Sequence, residues 1–145
     1  MQGACLCRVV RFEIDGSHYK IYQCHCSLCR KQGGSSSNTA TIVPNQRFRW
    51  LGGKEEISSW TKDTGFRSDF CRVCGSPVPN PLWKLPYHWI PLGLIEDDVK
   101  MDVVAHLCNS SRARWDAYDP QNGTIYEQMP NQIVDFVESL QGRAQ

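Results

Sequence analysis

A mainly β fold in a single domain is predicted by three observations. Short apolar segments recur along the chain between glycine, proline, asparagine and aspartate, several of them alternating with polar residues. A helical period is legible only near the C-terminus. A length of 145 residues, 41% of them hydrophobic, suffices for one sizeable core and is too short for two independent domains. The expected domain is therefore the whole of 1–145.

The first strand follows the first cysteine pair, where Val10, Phe12 and Ile14 alternate with Arg11, Glu13 and Asp15. YKIYQ leads into the next cysteines in the same way, and TATIV, RFRWL, GFRSDF, HWIPLGL and DVVAHL are further short strands. LGGKEE reads as a hairpin turn, and the polar stretch GGSSSNT as a mobile loop beside a site. Ile133, Phe136, Val137 and Leu140 fall at i, i+3, i+4 and i+7, which predicts one short C-terminal helix. No repeat of solenoid length is present, although closely spaced cysteines recur three times.

Sixteen Lys and Arg against fifteen Asp and Glu leave a net charge of +1, which argues against nucleic acid as a general partner. No run approaches the roughly twenty apolar residues that span a bilayer. The N-terminus MQGACLCRVVRFEID lacks a basic segment leading into an apolar stretch. A cytoplasmic chain with no membrane partner is the expectation. That compartment is reducing, so eight cysteines suit metal ligation better than four disulfides.

The cysteine spacing supports the same reading. Cys5 and Cys7 form C-x-C, Cys24, Cys26 and Cys29 form C-x-C-x-x-C, and Cys71 and Cys74 form C-x-x-C before Gly75. Tetrahedral zinc takes thiolates readily, and seven clustered cysteines divide as four plus three. FCRVCGSP resembles a zinc knuckle whose glycine relieves the tight turn. Its partner is either Cys5 with Cys7 or part of the central trio, and the first choice leaves the trio intact. A four-sulfur site is filled and belongs to folding, whereas three sulfurs leave one tetrahedral position for chemistry. The competing arrangement closes the trio with His25, His88 or His106. Of these His25 fits worst, because a side chain between two ligands of a C-x-C points away from the shared metal.

Arg30 and Lys31 follow the last cysteine of the trio, where they would offset thiolate charge or receive a substrate carboxylate. They read equally well as a solvated surface pair. Gly33 and Gly34 permit close backbone approach to a ligand, and the serines after them supply hydroxyls. Arg67 and Arg72 bracket the knuckle. Cys108 reads as a small buried apolar residue, and no rule selects among Trp83, Trp89 and Trp115 as pocket walls. No phosphate-cradling glycine loop, G-x-S-x-G elbow or HExxH helix is present.

In this order the cysteine segments resemble the glutathione-dependent formaldehyde-activating enzyme family, which includes the centromere protein V relatives. Its pattern is G-x-C-x-C, then CHC-S-x-C-R-K with a glycine shortly after, then R-x-F-C-x-x-C-G-S. Here these are GACLC, CHCSLCRKQGG and RSDFCRVCGS, the last with one extra residue between Arg67 and Phe70. The resemblance runs from Gly3 to about Ser76 and continues weakly through RARWDAYD. It implies two zinc ions per chain, one structural at Cys5, Cys7, Cys71 and Cys74 and one catalytic at Cys24, Cys26 and Cys29. It also implies antiparallel sheets of the β-tent type. The implied reaction is the addition of glutathione to formaldehyde, giving S-hydroxymethylglutathione, or the reverse carbon–sulfur cleavage; the residues themselves make Arg30, Lys31 and Gly34 the ones expected to meet the substrate. The rival class is a non-catalytic double-zinc module for protein or nucleic-acid partners. Two departures stand out: Arg8 where the family has glycine, expected to alter only a turn, and Arg114 where a proline commonly precedes the tryptophan, here Trp115.

Overall fold

The computed structural model describes residues 1–117, 119, 120 and 122–141. In chain order its strands and helices are β1 (Gln2–Ala4), β2 (Arg11–Ile14), β3 (Ile21–Cys24), α1 (Ser27–Gly33), β4 (Asn38–Pro44), β5 (Phe48–Gly52), β6 (Ile57–Thr61), β7 (Arg67–Cys71), β8 (Asn80–Pro81), β9 (Tyr87–Pro91), β10 (Val103–Leu107), β11 (Thr124–Ile125) and α2 (Ile133–Leu140). The protein is mainly β, with two short helices, one of them C-terminal. Two compact units emerge, Met1–Ser17 with Ile42–Val99 and His18–Thr41 with Lys100–Gln145.

In the first unit β1, β2 and β5 form an antiparallel sheet, with Phe12 opposite both Gly3 and Trp50. The predicted alternation holds: Val10, Phe12 and Ile14 are fully buried. Gly3 is required by packing, since a Cβ there would stand 2.3 Å from Cζ of the Phe12 ring. Strands β6 and β7 form a separate two-stranded sheet, and β9 pairs with β8. LGGKEE is therefore a turn but not a hairpin. Gly53, at φ 78°, leads from β5 into a single turn of 3₁₀ helix, and the chain then leaves to pair with β7.

The second unit orders its strands β11-β10-β3-β4, with β10 parallel to both neighbours and β3 antiparallel to β4. The expected antiparallel architecture is thus refined to one that includes a mixed sheet. A strand drawn from 80 residues downstream can enter beside β3 in either direction, and local alternation does not record which. The apolar stripe of α2 buries Phe136, Val137 and Leu140, with the Phe136 ring edge-on to Tyr22 at 5.4 Å. Among the described residues no helix is long and apolar enough to cross a membrane.

Candidate metal centres

Each unit gathers one group of thiols. In the first, β1 leads into Cys5 and a tight turn brings Cys7 back, with Arg8 N–H donating to the Cys5 carbonyl at 2.9 Å. Arg8 sits at φ 67°, in the left-handed region, which explains why glycine suits this position. The second turn starts where β7 ends: Gly75, also left-handed at φ 78°, returns its N–H to the Cys71 carbonyl at 2.7 Å. Leu6 N–H donates to Ser76 Oγ at 3.0 Å, tying the two turns together.

The sulfurs of Cys5, Cys7, Cys71 and Cys74 all lie within 4.8 Å of one another. Cys5–Cys7 and Cys7–Cys71 separations are 3.6 and 3.8 Å. Thiolates at about 2.3 Å from a tetrahedral metal stand about 3.8 Å apart, so these four fit one ion. Val10 N–H donates to Cys5 Sγ at 3.3 Å, the kind of backbone bond that orients a ligating sulfur. Burial pushes the Cys74 thiol up, but Ser76 and nearby backbone N–H groups outweigh it and bring it down to about 5.

In the second unit, β3 ends on Cys24 and α1 begins after Cys26. Cys26 caps that helix, its Sγ accepting from Cys29 N–H at 3.3 Å. This capping bond makes the C-x-x-C compact. The sulfurs of Cys24, Cys26 and Cys29 lie within 4.8 Å of one another, and among the described residues no His, Asp or Glu joins them. Contacts from the Cys24 and Cys29 thiols, helped by the N–H groups of Cys29 and Leu28, hold the Cys26 thiol far down, at about 2. The same sulfur contacts, with burial, push Cys24 up. The trio can hold a metal through three sulfurs.

His25 points away from the trio, as the C-x-C geometry requires. Only 1% exposed, it places Nε2 3.4 Å from His106 Nδ1 and Nδ1 3.7 Å from Asp116 Oδ2, and His106 Nε2 is 3.1 Å from the Asn122 carbonyl oxygen. Burial foremost, with His106 adding, holds the His25 imidazole below its usual pKa. His88 lies in the first unit, bonded to Asn45. None of the three histidines belongs to the trio.

Arg30 and Lys31 lie on α1 directly after Cys29; Lys31 is exposed, while Arg30 is half-buried and its Nε is buried without a hydrogen-bond partner. Gly34 caps the helix in the left-handed region at φ 60°. Gly33 is crowded, since a Cβ there would meet Asn38 Oδ1 at 2.6 Å. Of the RARWDAYD segment, Trp115 is 70% exposed and Tyr118 lies outside the described residues. Cys108 is buried, and its thiol, pushed up mainly by burial, contacts Cys24. The register of β10 on β3 sets Leu107 against Cys24 and so delivers Cys108 there, a placement nothing in its local sequence signals.

The model of the glutathione-dependent formaldehyde-activating enzyme family matches residues 1–111, which contain both groups of thiols. A Halomonas elongata protein provisionally named as a glutathione-dependent formaldehyde-activating enzyme is 26% identical over 123 residues, covering 79% of this chain and 78% of its own. A Rhodobacter sphaeroides protein of known crystal structure is 23% identical, covers 69% of this chain and 91% of its own, and superposes with a TM-score of 0.57, a likeness of fold.

Proposed function

The chain belongs to the glutathione-dependent formaldehyde-activating enzyme family, and from that premise we propose that it is a zinc-dependent carbon–sulfur lyase working at Cys24, Cys26 and Cys29. The reaction joins the sulfur of a glutathione-like thiol to the carbonyl carbon of a small aldehyde such as formaldehyde. The thiol proton ends on the former carbonyl oxygen, and the reverse reaction cleaves the same bond. The observation that carries this reading is the convergence of three sulfurs with no His, Asp or Glu joining them among the described residues. A zinc ion held there would supply thiol acidification and carbonyl polarisation.

The chain's own residues do the rest. Cys26, fixed by the Cys29 N–H, keeps the trio's geometry. Arg30 offers a buried Nε with no partner, and an unsatisfied buried donor favours arrival of an acceptor, here a carboxylate of the tripeptide. Lys31, exposed beside it, adds positive charge, and the backbone at Gly34 has open space around it. Cys5, Cys7, Cys71 and Cys74 would hold the second, structural zinc in a β-tent fold, and the chain acts in the cytoplasm as a single domain.

Cobalt substitution tests the site. Adding glutathione to the cobalt-loaded protein should strengthen the sulfur-to-metal charge-transfer band, and S-methylglutathione should not, because it offers no thiolate. An unchanged spectrum at saturating glutathione would exclude glutathione as the activated thiol.

A further inference from the structure

The first unit contains an open pocket of about 560 Å³. Period-two placement builds its walls. Phe48 and Trp50 share one face of β5, and Arg67 and Asp69 share one face of β7. From β9 comes His88. The aromatic side is ordered: the Phe48 and His88 rings stack with centroids 4.2 Å apart at 14°, and Trp50 stands edge-on to Phe48 at 4.8 Å and 89°.

The charged side is equally defined. Arg67 grips Asp69 bidentately, Nε to Oδ1 at 2.7 Å and Nη2 to Oδ2 at 2.9 Å, with Asp69 only 4% exposed. Lys54 has no such partner among the described residues. His88 Nδ1 donates to Asn45 Oδ1 at 2.8 Å, and burial, reinforced by Lys54 and Arg67, holds the ring below its usual pKa. Arg67 is thus already paired with Asp69, while Lys54, exposed at the edge of the pocket, is its one lining cation without a carboxylate partner among the described residues.

We infer that this cavity binds a small molecule carrying one carboxylate on a flat aromatic ring system, the carboxylate at Lys54 and the rings among Phe48, Trp50 and His88. A neutral molecule would forgo the contact with Lys54, a dicarboxylate would find a partner for one carboxylate alone, and a saturated body would forgo the ring contacts. None of these residues is among the clustered cysteines, so the inference is independent of the proposed reaction.

Calorimetric titration of the metal-loaded full chain with 2-naphthoate tests it. Saturable one-to-one binding is expected, with 2-naphthamide and decahydronaphthalene-2-carboxylate each about tenfold weaker. Lys54→Gln should weaken naphthoate about tenfold, the scale of a lost charge-assisted bond, while Lys54→Arg should retain it. Cys26→Ser should bind like the unmodified protein. Absence of saturable binding at low-millimolar naphthoate, equal affinity for the amide or the saturated acid, or insensitivity to Lys54→Gln would each overturn the inference. Loss of binding in Cys26→Ser would place the ligand at the trio and overturn it as well.

Discussion

In the first unit Cys5 and Cys71 are almost wholly buried and pack with Val10 and Val78, with Trp50, Ile57, Cys74 and Leu94 against them. In the second, Cys24 is buried at the end of β3, Cys26 and Cys29 are half-buried at the start of a seven-residue helix, and a core of Tyr22, Phe136, Val137 and Leu140 forms around α2. The same ligand chemistry therefore has two different neighbourhoods. An ion among the four sulfurs would close the gap between two chain turns 64 residues apart inside an apolar cluster, so its binding energy would become folding energy. An ion at the trio would be held by sulfurs from one short segment, and its loss would leave the α2 core intact.

The largest expected effect breaks the first neighbourhood. Cys71→Ser should remove one metal per chain and cost several kcal/mol of stability, on the order expected for a structural site, visible as a lost or strongly lowered cooperative melt. Cys26→Ser should retain the melt to within about 1 kcal/mol while lowering carbon–sulfur bond formation by about a hundredfold or more, since several kcal/mol of metal assistance are lost. If both variants melt alike, the comparison has no basis.

A smaller effect is expected beside the trio. Arg30→Gln should raise KM for glutathione about tenfold with little change in kcat, because a carboxylate contact is made equally in ground and transition states. A fall in kcat at unchanged KM would move Arg30 from binding to chemistry. The smallest effect sharpens the first neighbourhood from outside. Arg8→Gly should add about 1 kcal/mol by relieving the left-handed backbone, offset in part by losing an exposed ion pair with Glu96 worth at most about 1 kcal/mol. Metal content should not change. A clear destabilisation would show that the Arg8–Glu96 contact, rather than the turn, holds the segment.

Much of the site was legible because ligand spacing is local. C-x-C and C-x-x-C bring sulfurs together through a single turn, and the glycine after Cys74 marks the left-handed residue such a turn needs. That His25 turns away from Cys24 and Cys26 also follows from adjacent geometry. The strands at Val10 to Ile14 and at RFRWL were readable for the same reason, since alternation is a property of a few consecutive residues. Strand β6, with the sequence ISSWT, carried too weak an alternation to be seen, and α1 was hidden because its helical turn is capped by a cysteine rather than by a customary polar residue.

By itself the sequence determined which cysteines form compact pairs, where the buried positions of several strands fall, and the C-terminal helix from Ile133 to Leu140. The meeting of Cys5 and Cys7 with Cys71 and Cys74 was one of two pairings the spacing allowed and the one it favoured, whereas tertiary structure alone decided that β10 enters parallel beside β3 and brings Cys108 to Cys24, and that His25 finds His106. It also decided that Trp50 rather than Trp83, Trp89 or Trp115 walls the cavity with Lys54 and His88. The reason is physical: backbone stereochemistry acts over a few residues and is written in each short segment. A contact between residues tens of positions apart is selected by the chain entropy of closure and the packing of whole strands, which no short segment contains.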